Sequence, residues 1–203
     1  MAPHYEPKDA IYQAATRAGY RSRAALKLQD LDRKFRLFTP GARVLDLGCW
    51  PGGWLQVAAK AVGANGVVVG VDSQPVDDLK LANVRTVVAD LLSPSAADEL
   101  ETIVDGAVDL VLSDLAPKLS GVKDVDRARH IALCECVMTA CDRFLVPGGR
   151  CLIKLFSDSE SDVTKLLRAR FAKVAQHRPD TTRKGSSEIY AMASGYARSQ
   201  SVA

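Results

Sequence analysis

Five polar side chains, Asp46, Asp72, Asp90, Asp114 and Lys154, recur at the ends of short apolar runs in this 203-residue chain. Singly, each reads as a helix cap or a turn residue. At the ends of successive predicted strands they read as one site. The first lies inside residues 44–54, VLDLGCWPGGW, where an apolar segment passes through a glycine turn into a predicted helix over 55–62. Glycine lets backbone approach a ligand closely, and a helix N-terminus presents free N–H groups, so the stretch reads as a nucleotide-cofactor site. Its spacing is specific: three residues separate Gly48 from Gly52-Gly53, which fits neither the dinucleotide fingerprint nor a Walker loop. A nicotinamide dehydrogenase is disfavoured on that ground. Asp46 stands where a pyrophosphate would otherwise sit and suits a ligand with a cationic amino group. The cofactor inferred is S-adenosylmethionine.

The elements that must hold these residues follow from periodicity. Strands are predicted over 44–47, 67–71, 84–88, 108–112, 150–155, 173–176 and 188–193, with helices over 55–62, 96–103, 125–145 and 162–171. The run over 67–71 is apolar throughout, as in a parallel strand buried on both faces. Such alternation predicts an α/β fold with a doubly wound, mostly parallel seven-stranded sheet of Rossmann-like type, ligands lying at the carboxyl ends of the strands. Residues 1–38 are expected to form a basic helical extension, 39–196 the main domain and 197–203 a frayed tail. Within the extension, helical spacing over 8–38 is broken at Gly19. Basic residues gather around that break: Arg17, Arg21, Arg23, Lys27, Arg33, Lys34 and Arg36. Charge alone leaves two readings open, a solvated helix face or a phosphate-contacting platform. Ser159 and Asp162 have the spacing of a capping box ahead of the last helix.

Composition sets the bounds. A chain with 47% hydrophobic and 25% charged residues is an ordinary globular protein, and its net charge of +3 permits a nucleic-acid partner without requiring one. No apolar run approaches the roughly 20 residues needed to span a bilayer, so the expected location is the cytoplasm. The five cysteines form no C-x-x-C pair and read as buried free thiols. His4, His130 and His177 lack ligand spacing and read as surface or capping residues, so no metal is expected.

Taken in order, GYRSRAALKL (19–28), DLGCWPGGW (46–54), SDLAPKLSG (113–121), IKLF (153–156) and SSEIY (186–190) resemble the FtsJ/RrmJ family of ribosomal RNA ribose 2′-O-methyltransferases. The resemblance runs from about residue 8 to residue 194, and the ordered set of motifs is more specific than any one of them. It implies a catalytic tetrad of Lys27, Asp114, Lys154 and Glu188. It also implies cofactor contacts from Gly52 and Trp54, from Asp72 to the ribose hydroxyls, from Asp90 near the adenine, and from Asp114 near the methionine end. The implied substrate is a uridine ribose in the A-loop of 23S rRNA, in the large ribosomal subunit or its precursor particle, and the implied enzyme is a monomer. Several positions depart from the family pattern. Cys49-Trp50 makes the turn bulkier, Leu26 replaces an aromatic, Lys118 an asparagine, and Ser157-Asp158 a Gln-Gly pair. None removes a tetrad residue.

A ribose hydroxyl is a poor nucleophile near neutral pH, so methyl transfer gains from a base at the oxygen and from in-line placement of the methyl group. Burial and nearby cations favour a neutral Lys154 amine, whereas Asp114 and Glu188 favour the ammonium; proton abstraction and electrostatic orientation both remain open. For RNA, phosphate contacts from Arg21, Arg23, Arg33, Lys34, Arg183 and Lys184 and stacking on Tyr12, Tyr20 or Phe156 are the candidates. Two alternatives stand beside this reading: a ribose methyltransferase acting on a tRNA, and a non-catalytic RNA-binding ribosome-assembly factor.

Overall fold

The structure, a computed structural model, describes residues 10–93, 95–181 and 187–197. The expected N-terminal tail over 1–7, His4, Arg183, Lys184 and the tail over 198–203 lie outside the described residues. Two helices, α1 (Ala10–Arg17) and α2 (Ala24–Phe35), precede the first strand. Gly19 separates them at φ +75°, a left-handed turn that a side chain would strain. There follow β1 (Arg43–Leu47), α3 (Gly53–Val62), β2 (Val67–Asp72), β3 (Val84–Val88), α4 (Ala96–Glu101) and β4 (Val108–Ser113). The chain closes with α5 (Lys123–Phe144), β5 (Leu145–Phe156), α6 (Glu160–Arg168), β6 (Phe171–His177) and β7 (Glu188–Tyr196).

The seven strands form one sheet in the order β3-β2-β1-β4-β5-β7-β6, parallel except where β7 runs against both β5 and β6. The α/β, mostly parallel seven-stranded architecture is therefore as expected. Each face carries its own core. Val44, Val68, Leu110, Leu112, Leu152 and Met192 pack beneath α2 and α3, while Leu45, Leu47, Val111, Ile153 and Leu155 pack beneath α5 and α6. The period of two along each strand assigns the faces. Helix α2 is not peripheral to this packing, since its Leu28 and Leu31 are fully buried against α3.

Four local expectations are corrected. Strand β5 begins at Leu145 rather than at residue 150, taking Pro147-Gly148-Gly149 into an irregular start where the β4 register shifts between Val108 and Leu110. Helix α6 stops at Arg168, and Phe171 opens β6 opposite Tyr196, its ring packed on the tyrosine at 5.4 Å. Ser159 occupies the N-cap of α6, but its side chain makes no capping bond because the hydroxyl is engaged by His130. His130 itself is buried, not at the surface; it continues the apolar stripe of α5 through Cys134, Val137 and Cys141.

Candidate active site

The sheet order lines up the predicted residues. Asp90 follows β3, Asp72 ends β2, Asp46 lies in β1, Asp114 follows β4, and Lys154 lies near the end of β5. Glu188 begins β7, and because β7 is antiparallel its start reaches the same edge, opposite Phe156. Period two places Asp46 after Val44, Asp114 after Leu112, Lys154 after Leu152 and Tyr190 before Met192. All therefore face α2, which delivers Lys27.

Four of these residues form two ion pairs. Lys27 Nζ lies 2.6 Å from Glu188 Oε2, and Lys154 Nζ lies 3.1 Å from Asp114 Oδ1. Lys154 Nζ also donates to the Asp114 carbonyl oxygen. Both amines are buried, at 6% and 5% exposure, while Asp114 and Glu188 keep part of their surface open. Sequence reasoning missed Tyr190, which joins the pairs. Its hydroxyl donates to Asp114 Oδ1 at 2.7 Å, and its ring centroid lies 6.0 Å from Lys27 Nζ. Burial and the charge of Asp114 push its phenol well up, so it remains a donor. The available signal was its position two residues after Glu188, on the same face of β7.

Asp114 holds the Lys154 amine from one side: Nζ donates to the Asp114 carbonyl oxygen and lies within ion-pair distance of its carboxylate.

The glycine-turn side of the edge is shaped by backbone. At Gly52, φ is +108°, and a Cβ there would stand 3.2 Å from Val76 and Leu79 of the loop after β2. At Gly53 a Cβ would meet the Ser22 hydroxyl at 2.3 Å, so the segment between α1 and α2 lies directly on the helix start. The first-turn amides of α3 have no intrahelical acceptor and point into the turn. Trp54 is placed differently from a simple ligand contact: its indole is buried, stands 6.0 Å from the Tyr190 ring and donates to the Ala24 carbonyl. Asp72 accepts from the amides of Trp50 and Gln74, one on each carboxylate oxygen, which fixes its orientation and leaves lone pairs for further donors. Asp90 accepts the Leu92 amide and is exposed at the far edge, away from the ion pairs.

Asp46 is fully buried, and neither carboxylate oxygen has a hydrogen-bond partner. Burial, with the charges of Asp114 and Asp72, raises its carboxyl well above the ordinary range. A buried acid beside two carboxylates at one glycine turn makes a site that repels anions and favours a cation, beside which the acid would ionise.

The basic residues of the N-terminal segment divide. Arg21 is not free for phosphate: its guanidinium donates to the carbonyls of Asp77 and Asp78 at 2.6 and 2.9 Å, and its amide donates to Gln56. It clasps the loop that covers Gly52. Lys34 and Arg33 are exposed, the latter beside Asp30. Tyr12 is 45% exposed, whereas Tyr20 packs against the α2–α3 core and Phe156 against His130.

Comparison with known proteins gives a consistent result. A family model described as FtsJ-like methyltransferase matches residues 20–196. The ribosomal RNA large subunit methyltransferase E of Anaeromyxobacter sp. (strain Fw109-5) is 43% identical over 199 residues, covering 98% of this chain and 72% of the relative. The protein of the same name from Methanothermobacter thermautotrophicus is 42% identical over 184 residues, covering 90% of this chain and 87% of the relative. Among solved structures, a ribosomal RNA methyltransferase from Plasmodium falciparum superposes with a TM-score of 0.74 at 25% identity, covering 87% of this chain and 98% of that one. A fibrillarin/Nop5p complex, with a TM-score of 0.65 and 21% identity over 84% of this chain and 81% of that one, shares the fold.

Proposed function

Because the chain belongs to the FtsJ-like methyltransferase family, we propose that it transfers a methyl group from S-adenosylmethionine to a ribose 2′-hydroxyl of large-subunit ribosomal RNA. The observation that carries this reading is the doubled ion pair, Lys154–Asp114 and Lys27–Glu188, standing at the sheet edge beside an acidic glycine turn. The names of the relatives at 43% and 42% identity support ribosomal RNA as the substrate class. A uridine in the A-loop is the proposed nucleotide.

The residues of the turn fit the cofactor. Its sulfonium and amino groups are cationic, and Asp46, unpartnered and enclosed, supplies the opposite charge from beneath. Gly52 and the main chain of Trp54 would admit it closely, Asp72 would accept its ribose hydroxyls, Asp90 would lie toward its adenine, and Asp114 toward its methionine end. When bound, the cofactor supplies an electrophilic methyl group. Lys154 would orient the ribose hydroxyl and take its proton, with Asp114 fixing the amine; Lys27 and Glu188 would hold the ribose side of the substrate. Exposed cations of α2, led by Lys34, would contact phosphates. Among the described residues, no helix is long and apolar enough to cross a membrane. A monomer acting in the cytoplasm on the large subunit or its precursor completes the proposal.

Lys154→Ala tests it. Methyl transfer to undermethylated large subunits should fall by about 10²–10⁴-fold under single-turnover conditions, with cofactor affinity close to wild type. Lys154→Arg should rescue little, since guanidinium stays protonated. An arginine variant with near-normal turnover would exclude proton abstraction and favour orientation. A fully active alanine variant would sink the tetrad assignment, and preferred methylation of isolated tRNA would redirect the substrate.

A further inference from the structure

His130 stands on α5 and is 1% exposed, yet it touches the chain at Lys154. Its Nε2 lies 3.3 Å from the Lys154 carbonyl oxygen, and its Nδ1 lies 2.7 Å from Ser159 Oγ. The ring packs edge-on against Phe156, with centroids 4.7 Å apart. A carbonyl only accepts, so the Nε2 contact takes the tautomer protonated there, and Nδ1 then accepts the single Ser159 hydroxyl proton at 2.7 Å in preference to the Phe156 carbonyl at 3.2 Å. Ser159 is itself fully buried, with its hydroxyl 3.2 Å from the Phe156 carbonyl. The β4 ladder ends where Ser113 faces Ile153, so Lys154 lies one residue past the last rung on that side. A relay from Ser159 through His130 to the Lys154 carbonyl thus holds the β4 side of the main chain beyond that rung, while β7 pairs its other side.

We propose that His130 and Ser159 are positioning residues for methyl transfer, holding the Lys154 backbone so that its amine stays on Asp114. This rests on the reading that Lys154 acts at the ribose hydroxyl. Neither residue belongs to the two ion pairs, and an aliphatic side chain would fill the same space without the cost of burying polar groups. What the polar relay adds is direction. The titratable and charged groups around the ring are Lys154 and Asp158 from β5 and its following turn and Cys134 from α5, while α5 is tied to α6 by the Arg127–Asp162 pair. Burial lowers the imidazole's proton affinity, and the Lys154 charge adds to this, so the neutral form that the relay needs is favoured.

Two substitutions separate direction from packing. His130→Leu fills the volume with no donor, whereas His130→Gln returns an amide N–H near the place of Nε2. The leucine variant should lose about 10–100-fold in single-turnover rate, as expected for an ångström-scale misplacement. Its affinity for S-adenosylmethionine, measured by calorimetry, should stay within about twofold. The glutamine variant should recover most of the rate. A leucine variant as fast as wild type, or a glutamine variant as slow as leucine, overturns the proposal provided Lys154→Ala is inactive in the same assay. If Lys154→Ala is itself active, the catalytic reading fails instead. Should His130→Leu not fold by circular dichroism, Ser159→Ala, which removes one oxygen, carries the comparison: a slower rate at unchanged affinity supports the relay, and an unchanged rate overturns it.

Discussion

Asp46 is the residue where stability and binding pull apart. Its carboxyl is raised by burial and by Asp114 and Asp72, so the folded chain holds a proton that the unfolded chain has released. By linkage the fold therefore loses stability as pH rises above the ordinary carboxylate value of 3.8 toward the raised one. Asp46→Asn removes that loss. The cofactor-free variant should melt higher than wild type by a margin that widens with rising pH, measured by thermal denaturation. The same change should weaken S-adenosylmethionine binding, because the cation loses its buried countercharge. Wild-type binding should also release a proton, seen as a calorimetric enthalpy that varies with the buffer's ionisation enthalpy. Equal enthalpies in all buffers would mean that Asp46 does not ionise on binding. Asp72→Ala should lower affinity independently, each lost charge-assisted hydrogen bond being worth roughly 1.5–3 kcal/mol.

The basic residues around Gly19 are not one set in the structure. Arg21 clasps the carbonyls of Asp77 and Asp78 in the loop covering Gly52, and Gln56 of α3 ties both the Arg21 amide and the Gly19 carbonyl. Arg21→Ala should therefore weaken cofactor binding by roughly tenfold, the scale of one hydrogen bond to a charged group. The slope of RNA affinity against salt should scarcely move. Replacing exposed Lys34 should do the reverse, lowering the log–log salt slope by about one unit for the phosphate no longer neutralised. A filter-binding series across salt concentrations, paired with cofactor calorimetry, separates the two. An Arg21→Ala variant with normal cofactor affinity and a flattened slope would return Arg21 to the phosphate platform.

In the molecule as a whole, the two ion pairs and one of the two cores share a face of the sheet. Lys27 sits beside fully buried Leu28 on α2, so the helix that brings a charge to the edge also seals the core over α3. Leu28→Ala should cost about 2–5 kcal/mol, lowering the melting temperature by roughly 4–20 °C for a chain of this size. It should also slow methyl transfer, since Lys27 loses its support. Acid should act through His130. Burial lowers its imidazole below the ordinary 6.5, so the stability of the fold is full above that value and falls as pH drops beneath it. In His130→Gln that part of the acid sensitivity should vanish, as urea denaturation at a series of pH values would show.

The linear chain determined the fold class, because strand and helix periods are local and the alternation of elements leaves few topologies. It also marked Asp46, Asp72, Asp90, Asp114 and Lys154, since a strand end is visible where an apolar run stops at a polar residue. Its motifs named Lys27 and Glu188 by resemblance alone, for nothing in the spacing brings residues 27 and 188 together. Only the tertiary structure decided which lysine meets which carboxylate, because the antiparallel turn of β7 sets Glu188 opposite Phe156 and Tyr190 opposite Lys154. Tyr190, Arg21, His130 and Ser159 were illegible for one reason. Each acts through a hydrogen bond to a group distant in sequence, and a side chain's type does not say which partner the fold will bring to it.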